Sequence, residues 1–347
     1  AITRSCTTCS RFNPTTTTMM RILYKFIFGL LYLLSLLPLR VLYIVSDFFY
    51  LLVYHVVGYR KRLVRRHLAE SFPEKSETQR RAIERGFYSW FCDYLVETIK
   101  LLSISKRQMM RHMRFTGVDK VNEAIERGQS VGCYLGHFCN WEWITSLPLW
   151  VTQAAQCTQI YHVLENKEFD RLFLHLRSRF GSESIPMAET LRRIARYRAE
   201  HQPIIMGYIS DQIPFWNNIH HWLDFLHHDT PVLTGTEKIM RGTRQAVFYI
   251  DVRRIRRGYY EAHFVPITDH PEQTTEWQLT DRYFQLLEAS IRRQPECYLW
   301  THNRWKRSHE EYNLRLDPVT GIVNLTDSVE ELRRKHNAAA ARDNNPL

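Results

Sequence analysis

Cysteine is sparse and follows no pairing pattern: seven residues in a chain of 347, an odd number spread from Cys6 to Cys297. That excludes the disulfide framework of a small secreted protein and favours reduced thiols. Cys6 and Cys9 have metal-like spacing, but no second pair follows at a zinc-finger distance. His220-His221 and His227-His228 lack a carboxylate or cysteine at ligand spacing, so no metal site is expected. The phosphate-loop and dinucleotide fingerprints are absent, and no cofactor is expected. Helix-turn-helix, zinc-knuckle and RNP-type aromatic patterns are missing too, which argues against a nucleic-acid partner.

The sequence is 44% hydrophobic and 24% charged, ordinary globular usage, which excludes global disorder. Lys and Arg number 47 against 36 Asp and Glu, a formal net charge of +11. The basic residues cluster at 60–66, at 171–179 with 192–198, and at 253–257. Such clusters suit a membrane surface, a phosphorylated saccharide or an acidic carrier protein.

Five stretches follow from composition. Residues 1–18 are Thr-rich, without apolar periodicity, and read as an unstructured or upstream extension. Residues 19–59 hold two apolar runs, 26–39 and 41–59, interrupted by Pro38, Arg40, Asp47 and His55. A clean span needs about 20 apolar residues, so one tilted or broken span fits, as does a hairpin in one leaflet. The basic run from Arg60 to Arg66 that follows reads as a cytoplasmic flank held by anionic headgroups. Within 60–115, Ser76 and Gln79 form a candidate capping box ahead of an amphipathic helix through Phe87, Trp90 and Ile99.

Residues 116–310 alternate strand-like runs (130–135, 203–209, 246–252, 259–266) with helical patterns (141–150, 167–180, 188–200, 234–243, 275–293). The expected fold is α/β, a mixed central sheet flanked by helices, with an N-terminal apolar helical membrane anchor. The polar tail, 311–347, is expected to fray.

The stretch Val131 to Trp143 carries the chemistry. An apolar strand runs to Gly136, so His137 falls at the strand end, where open α/β sheets present reactive groups. On one continuous helix His137 and Glu142 would point about 140° apart, so only a turn lets them converge. Gly136 and Asn140 supply that turn chemistry, and Asn140 is a candidate cap. A carboxylate beside an imidazole fixes its tautomer and stabilises its protonated form, which suits proton abstraction from a hydroxyl. Cys139 opens a thiol-nucleophile alternative. Arg177 and Arg179, in LHLRSRFG, are candidates to hold a phosphate or a developing oxyanion, Arg177 the favoured one.

This segment resembles the active-site motif of the bacterial lipid A late acyltransferases, the lauroyl/myristoyl transferase family: a His followed after four residues by an acid. Three further segments agree in order. Arg66-His67-Leu68 with Ser71-Phe72-Pro73 resembles the element after the anchor, with His67 where Asn is usual. Gly207 to Gln212 resembles the Asp-Gln element that ends a later strand, and Pro295 to Lys306 the closing element, with Cys297 for Gln and Asn303 for Arg. The resemblance covers about residues 21–306.

It implies a glycerolipid-acyltransferase-like fold at the inner membrane, with the catalytic domain facing the cytoplasm. The implied reaction moves a fatty acyl chain from an acyl-carrier-protein thioester to a hydroxyl of a lipid A precursor. His137 would be the base and Glu142 its orienting partner, with Arg177, Asp211, Gln212 and Asn140 binding substrate or supporting the site. Two alternatives stand beside it. One is a glycerolipid or other membrane-lipid acyltransferase, which uses the same His-to-acid spacing. The other is a non-catalytic membrane protein that binds anionic lipid.

Overall fold

The computed structural model describes residues 14–343. Cys6, Cys9 and most of the expected leader lie outside the described residues, and the first helix has already begun at Pro14. The chain opens with helix α1 (Pro14–Leu36), then α2 (Leu39–Tyr50), which continues as a π-helical stretch, Leu51–Val57. Pro38, which has no N–H to continue a helical ladder, separates α1 from α2. Leu39–Val57 is the one helix among the described residues long and apolar enough to cross a membrane. Helices α3 (Lys61–Ser71) and α4 (Glu77–Lys100) follow, and the Ser76–Gln79 capping box opens α4 as expected.

The α/β region is built from α5 (Lys106–His112), β1 (Met113–Thr116), α6 (Val118–Glu126), β2 (Val131–Leu135), β3 (Gln156–Tyr161), α7 (Lys167–Ser178), β4 (Glu183–Pro186), α8 (Thr190–Ala199) and β5 (Ile204–Ile209). It continues through β6 (Trp222–Phe225), β7 (His228–Pro231), α9 (Gly235–Thr243), β8 (Ala246–Arg256), β9 (Tyr259–Thr268) and α10 (Gln278–Arg293). Seven strands form one sheet in the order β1-β9-β8-β2-β5-β3-β4, and β6 pairs with β7 separately. β8 and β9 are antiparallel and the other pairings parallel, so the sheet is mixed, as the alternating pattern implies. Every residue of β2 is buried, the pattern of a central strand covered on both faces.

Three expectations change. Residues 143–149 form a 3-10 helix rather than an α-helix, with Pro148 inside it. The short strands β1, β3 and β4 carry too few apolar residues to stand out in the sequence. The tail is not wholly frayed: α11 (His309–Arg315) is capped by Ser308, and Leu332 of α12 (Val329–Asp343) is buried.

Candidate active site

Strands β2 and β5 lie side by side, parallel and in register, with Leu135 opposite Ile209. His137 and Asp211 each stand two residues beyond these partners, so the sheet carries both to one edge. His137 Nδ1 lies 2.6 Å from Asp211 Oδ1, and the His137 backbone N–H donates to Asp211 Oδ2 at 3.2 Å. An ionised carboxylate only accepts, so Nδ1 carries the proton and Nε2 the lone pair. Gln212 Nε2 sits 3.2 Å from His137 Nε2 and is its donor there. The imidazole side chain is 17% exposed while that of Asp211 is fully buried, which leaves a reachable base on a shielded acid.

Arg304 is buried and completes the carboxylate's shell: its Nη2 donates to Asp211 Oδ2 at 2.9 Å and its Nε to the Asp211 carbonyl. Burial alone would raise the Asp211 carboxyl. The charges of His137 and Arg304, with the hydrogen bonds from His137, outweigh it and hold the group well below the usual carboxylate range. Asp211 is therefore ionised at neutral pH. It can keep the imidazole in one tautomer and stabilise an imidazolium.

The closing segment pins the loop that bears His137. Leu299 N–H donates to the His137 carbonyl at 3.2 Å, and Cys139 N–H to the Cys297 carbonyl at 2.8 Å. Phe138 pairs with Tyr298 between them. Cys139 makes the turn with φ of +51°, in the left-handed region. Gly136 packs closely: a Cβ there would stand 2.7 Å from a Leu287 methyl, which would have to shift.

Glu142 is placed elsewhere. Its carboxylate accepts two hydrogen bonds from Arg177, Nη2 at 2.6 Å and Nε at 2.9 Å, and no hydrogen bond joins it to His137 among the described residues. The expected His137–Glu142 contact is thus replaced by His137–Asp211 and Glu142–Arg177. The reason is local. Asn140 turns inward, its Oδ1 accepting from Trp143 N–H at 3.0 Å and its Nδ2 donating to Glu97 Oε2 at 2.7 Å. That starts a tight 3-10 turn at Trp143 and directs Glu142 towards α7. Arg179 points away, donating to the Leu101 and Ile104 carbonyls. Of the two arginines, Arg177 faces the motif.

Two residues escaped the sequence reading. Arg304 lies inside the closing element, 93 residues from Asp211, so nothing local in the sequence links the two. Glu97 shares one face of α4 with Asp93 and Lys100, a charged row at helical spacing inside a largely apolar stretch. Cys139 is fully buried and its thiol is pushed far up by burial and by the neighbouring Cys297, which leaves no accessible thiolate. His67, in the Asn position of the family element, is buried with Nδ1 3.1 Å from the Trp300 carbonyl. Burial lowers it to about 4, so it is neutral at pH 7.

A reachable imidazole backed by a buried carboxylate, at the carboxyl ends of parallel strands, is a constellation suited to taking a proton from a hydroxyl. The model of one family, bacterial lipid A biosynthesis acyltransferase, matches residues 10–307, most of the chain. The protein belongs to that family and is an acyltransferase of lipid A biosynthesis. Among curated proteins no relative matches it.

Proposed function

We propose that the protein transfers a fatty acyl chain from an acyl-carrier-protein thioester to a hydroxyl of a lipid A precursor, at the cytoplasmic face of the inner membrane. The observation that carries the mechanism is the His137–Asp211 pair, with Nε2 of the imidazole as the exposed basic atom. His137 takes the acceptor's hydroxyl proton as that oxygen attacks the thioester carbonyl. The tetrahedral intermediate collapses with cleavage of the C–S bond. The imidazolium returns the proton to the departing carrier thiolate, and an ester remains. Asp211 stabilises the imidazolium without bonding to the acyl group, and Arg304 keeps Asp211 ionised.

Gln212 Nε2 lies 3.2 Å from His137 Nε2, on the side from which an acceptor hydroxyl would meet the base. Glu142 acts through Arg177, fixing the guanidinium beside the motif, where it can meet a phosphate of the acceptor. The basic surface supports an acidic carrier as donor.

The test is turnover of the detergent-solubilised protein with a lipid A precursor and either acyl-carrier-protein or acyl-CoA thioesters, read by product mass. A product one acyl ester heavier, formed faster from the carrier, is expected. Acylation of glycerophosphate lipids instead would overturn the acceptor assignment, and faster turnover with acyl-CoA would overturn the donor.

A further inference from the structure

Helix α2 and its π-helical continuation lie antiparallel along α4 for their whole length. Lys100 at the end of α4 donates to the Ser35 and Leu37 carbonyls at the elbow between α1 and α2, at 2.8 and 3.0 Å. One turn on, Tyr43 Oη donates to Glu97 Oε1 at 2.8 Å, and then Ser46 Oγ to Asp93 Oδ1 at 2.7 Å. At the far end the Tyr54 and Tyr88 rings pack at 5.2 Å, and Tyr88 Oη donates to the Tyr59 carbonyl at 2.5 Å. The tip of the β8–β9 hairpin joins the same seam: Arg257 bridges Asp47 and Asp93, both at 2.6 Å. Gly258 is there because a Cβ would collide with the Tyr43 hydroxyl, and its φ of +73° suits glycine.

α4 is in turn fixed to the catalytic motif, with Trp143 Nε1 donating to the Glu97 carbonyl at 3.1 Å. If Leu39–Val57 crossed a bilayer in this arrangement, Asp93, Glu97, Arg254 and Arg257 would enter the hydrocarbon with it. Ionisable side chains are costly to place in hydrocarbon. The opposite face of the helix is apolar and bare: Ile44 is 69%, Phe48 65% and Val56 75% exposed. At the hairpin tip that Arg257 ties to this helix, Ile255 is 61% exposed, with exposed Arg253 and Arg256 beside it in the strand. Arg62 stands exposed just past the helix end.

We infer that this helix does not span the membrane. It lies in the plane of one anionic leaflet, with the Ile44–Phe48–Val56 face and Ile255 at the boundary between headgroups and acyl chains, and the arginines on the phosphates. Apolar side chains rimmed by arginine fit that boundary, where interfacial helices sit about 5–10 Å deep. The consequence for the enzyme is rigidity: one seam from Tyr43 through Glu97 to Asn140 fixes the catalytic loop at a set height above the lipid. This inference rests on the membrane attachment proposed above.

The experiment uses the full chain with Cys6 and Cys9 replaced by Ser. The free cysteines of the described residues are all buried and resist labelling. Nitroxide labels at Ile44→Cys, Phe48→Cys, Val56→Cys and Ile255→Cys are measured for depth on phosphatidylethanolamine–phosphatidylglycerol vesicles. All four are expected at one shallow depth. Phe48→Asp and Ile255→Asp should each weaken vesicle binding at least tenfold, with turnover of detergent-dispersed substrate unchanged. A depth that changes by about 18 Å between Ile44 and Val56, the rise of a crossing helix over that distance, would overturn the in-plane seat alone. Labels shielded by a second copy, seen as dipolar broadening without lipid contact, would also overturn it. Failure to bind vesicles at all would remove the membrane attachment as well.

Discussion

Glu142 and Arg177 form a bidentate pair in which the glutamate side chain is 3% exposed and the arginine 23%. Removing one member leaves the other charge shielded and unpaired, which costs about 3–5 kcal/mol for a fully buried pair and less here, where the arginine is partly exposed. Glu142→Ala is therefore expected to lower the unfolding midpoint clearly. Asp211→Asn should also cost stability, because it leaves buried Arg304 without its counter-charge, but its mark should be a far lower turnover, because a neutral amide cannot stabilise the imidazolium. Denaturant unfolding beside single-turnover kinetics separates the two. A Glu142→Ala protein of normal stability and no turnover would return Glu142 to direct partnership with the reaction.

Arg304 sets a pH limit. The folded Asp211 carboxyl lies below its ordinary value of 3.8, so the native state binds fewer protons than the unfolded chain. Its stabilisation is complete above that ordinary value and disappears as pH falls through the folded one. Arg304→Met removes one of the two positive neighbours and should move this loss, and the acid limb of kcat/KM, to higher pH. Arg304→Lys should restore much of the wild-type profile. Identical acid limbs for wild type and Arg304→Met would mean that Arg304 only packs.

Glu97 works in the opposite sense. It is fully buried and accepts from Asn140, Tyr43 and Tyr260. Burial, with the charge of Asp93, raises its carboxyl to about 7. The unfolded group titrates near 4.5, so the native state holds the extra proton and stability falls as pH rises between these values. The span corresponds to on the order of 3 kcal/mol at 1.36 kcal/mol per unit. Glu97→Gln keeps the shape, removes the ionisation, and should flatten the melting temperature across that window. An unchanged slope would assign the pH dependence to another group.

The sheet, its long strands and the apolar N-terminal helices were legible because apolar periodicity survives in sequence: β2, β5, β8 and β9 fall within a few residues of the runs that announced them. His137 was legible because a strand end is a local property. Its partner was not. Asp211 lies 74 residues away, and only the parallel pairing of β2 with β5 brings the two to one edge. Glu142 looked like the partner because it was near in sequence, while the inward turn of Asn140 onto Glu97 aims it at α7. That turn depends on a helix more than forty residues earlier, which no window along the chain contains.

The donor gives a prediction about salt. An acidic carrier meeting a protein of net charge +11 is drawn in by long-range attraction, which salt screens over about 10 Å at 0.1 M. The value of kcat/KM with acyl carrier protein should fall as ionic strength rises, while kcat at saturation changes little. A flat response would mean that the carrier does not dock through charge.

The last prediction separates the base from the thiol two residues on. Cys139 is buried, its thiol raised by burial, and its side chain directed to the Val252 carbonyl at 3.7 Å. It has neither the thiolate nor the access that a covalent acyl intermediate needs. Cys139→Ala should keep most of the activity, with some stability lost because the residue packs in the core. General-base assistance is typically worth about 10²–10⁴-fold, and His137→Ala should cost at least that while the protein stays folded. Since His137 and Asp211 act as one unit, their double variant should be little slower than His137→Ala alone. Intact-protein mass spectrometry during turnover should show no acyl adduct. An acylated Cys139, with His137→Ala still active, would replace direct transfer by a two-step route.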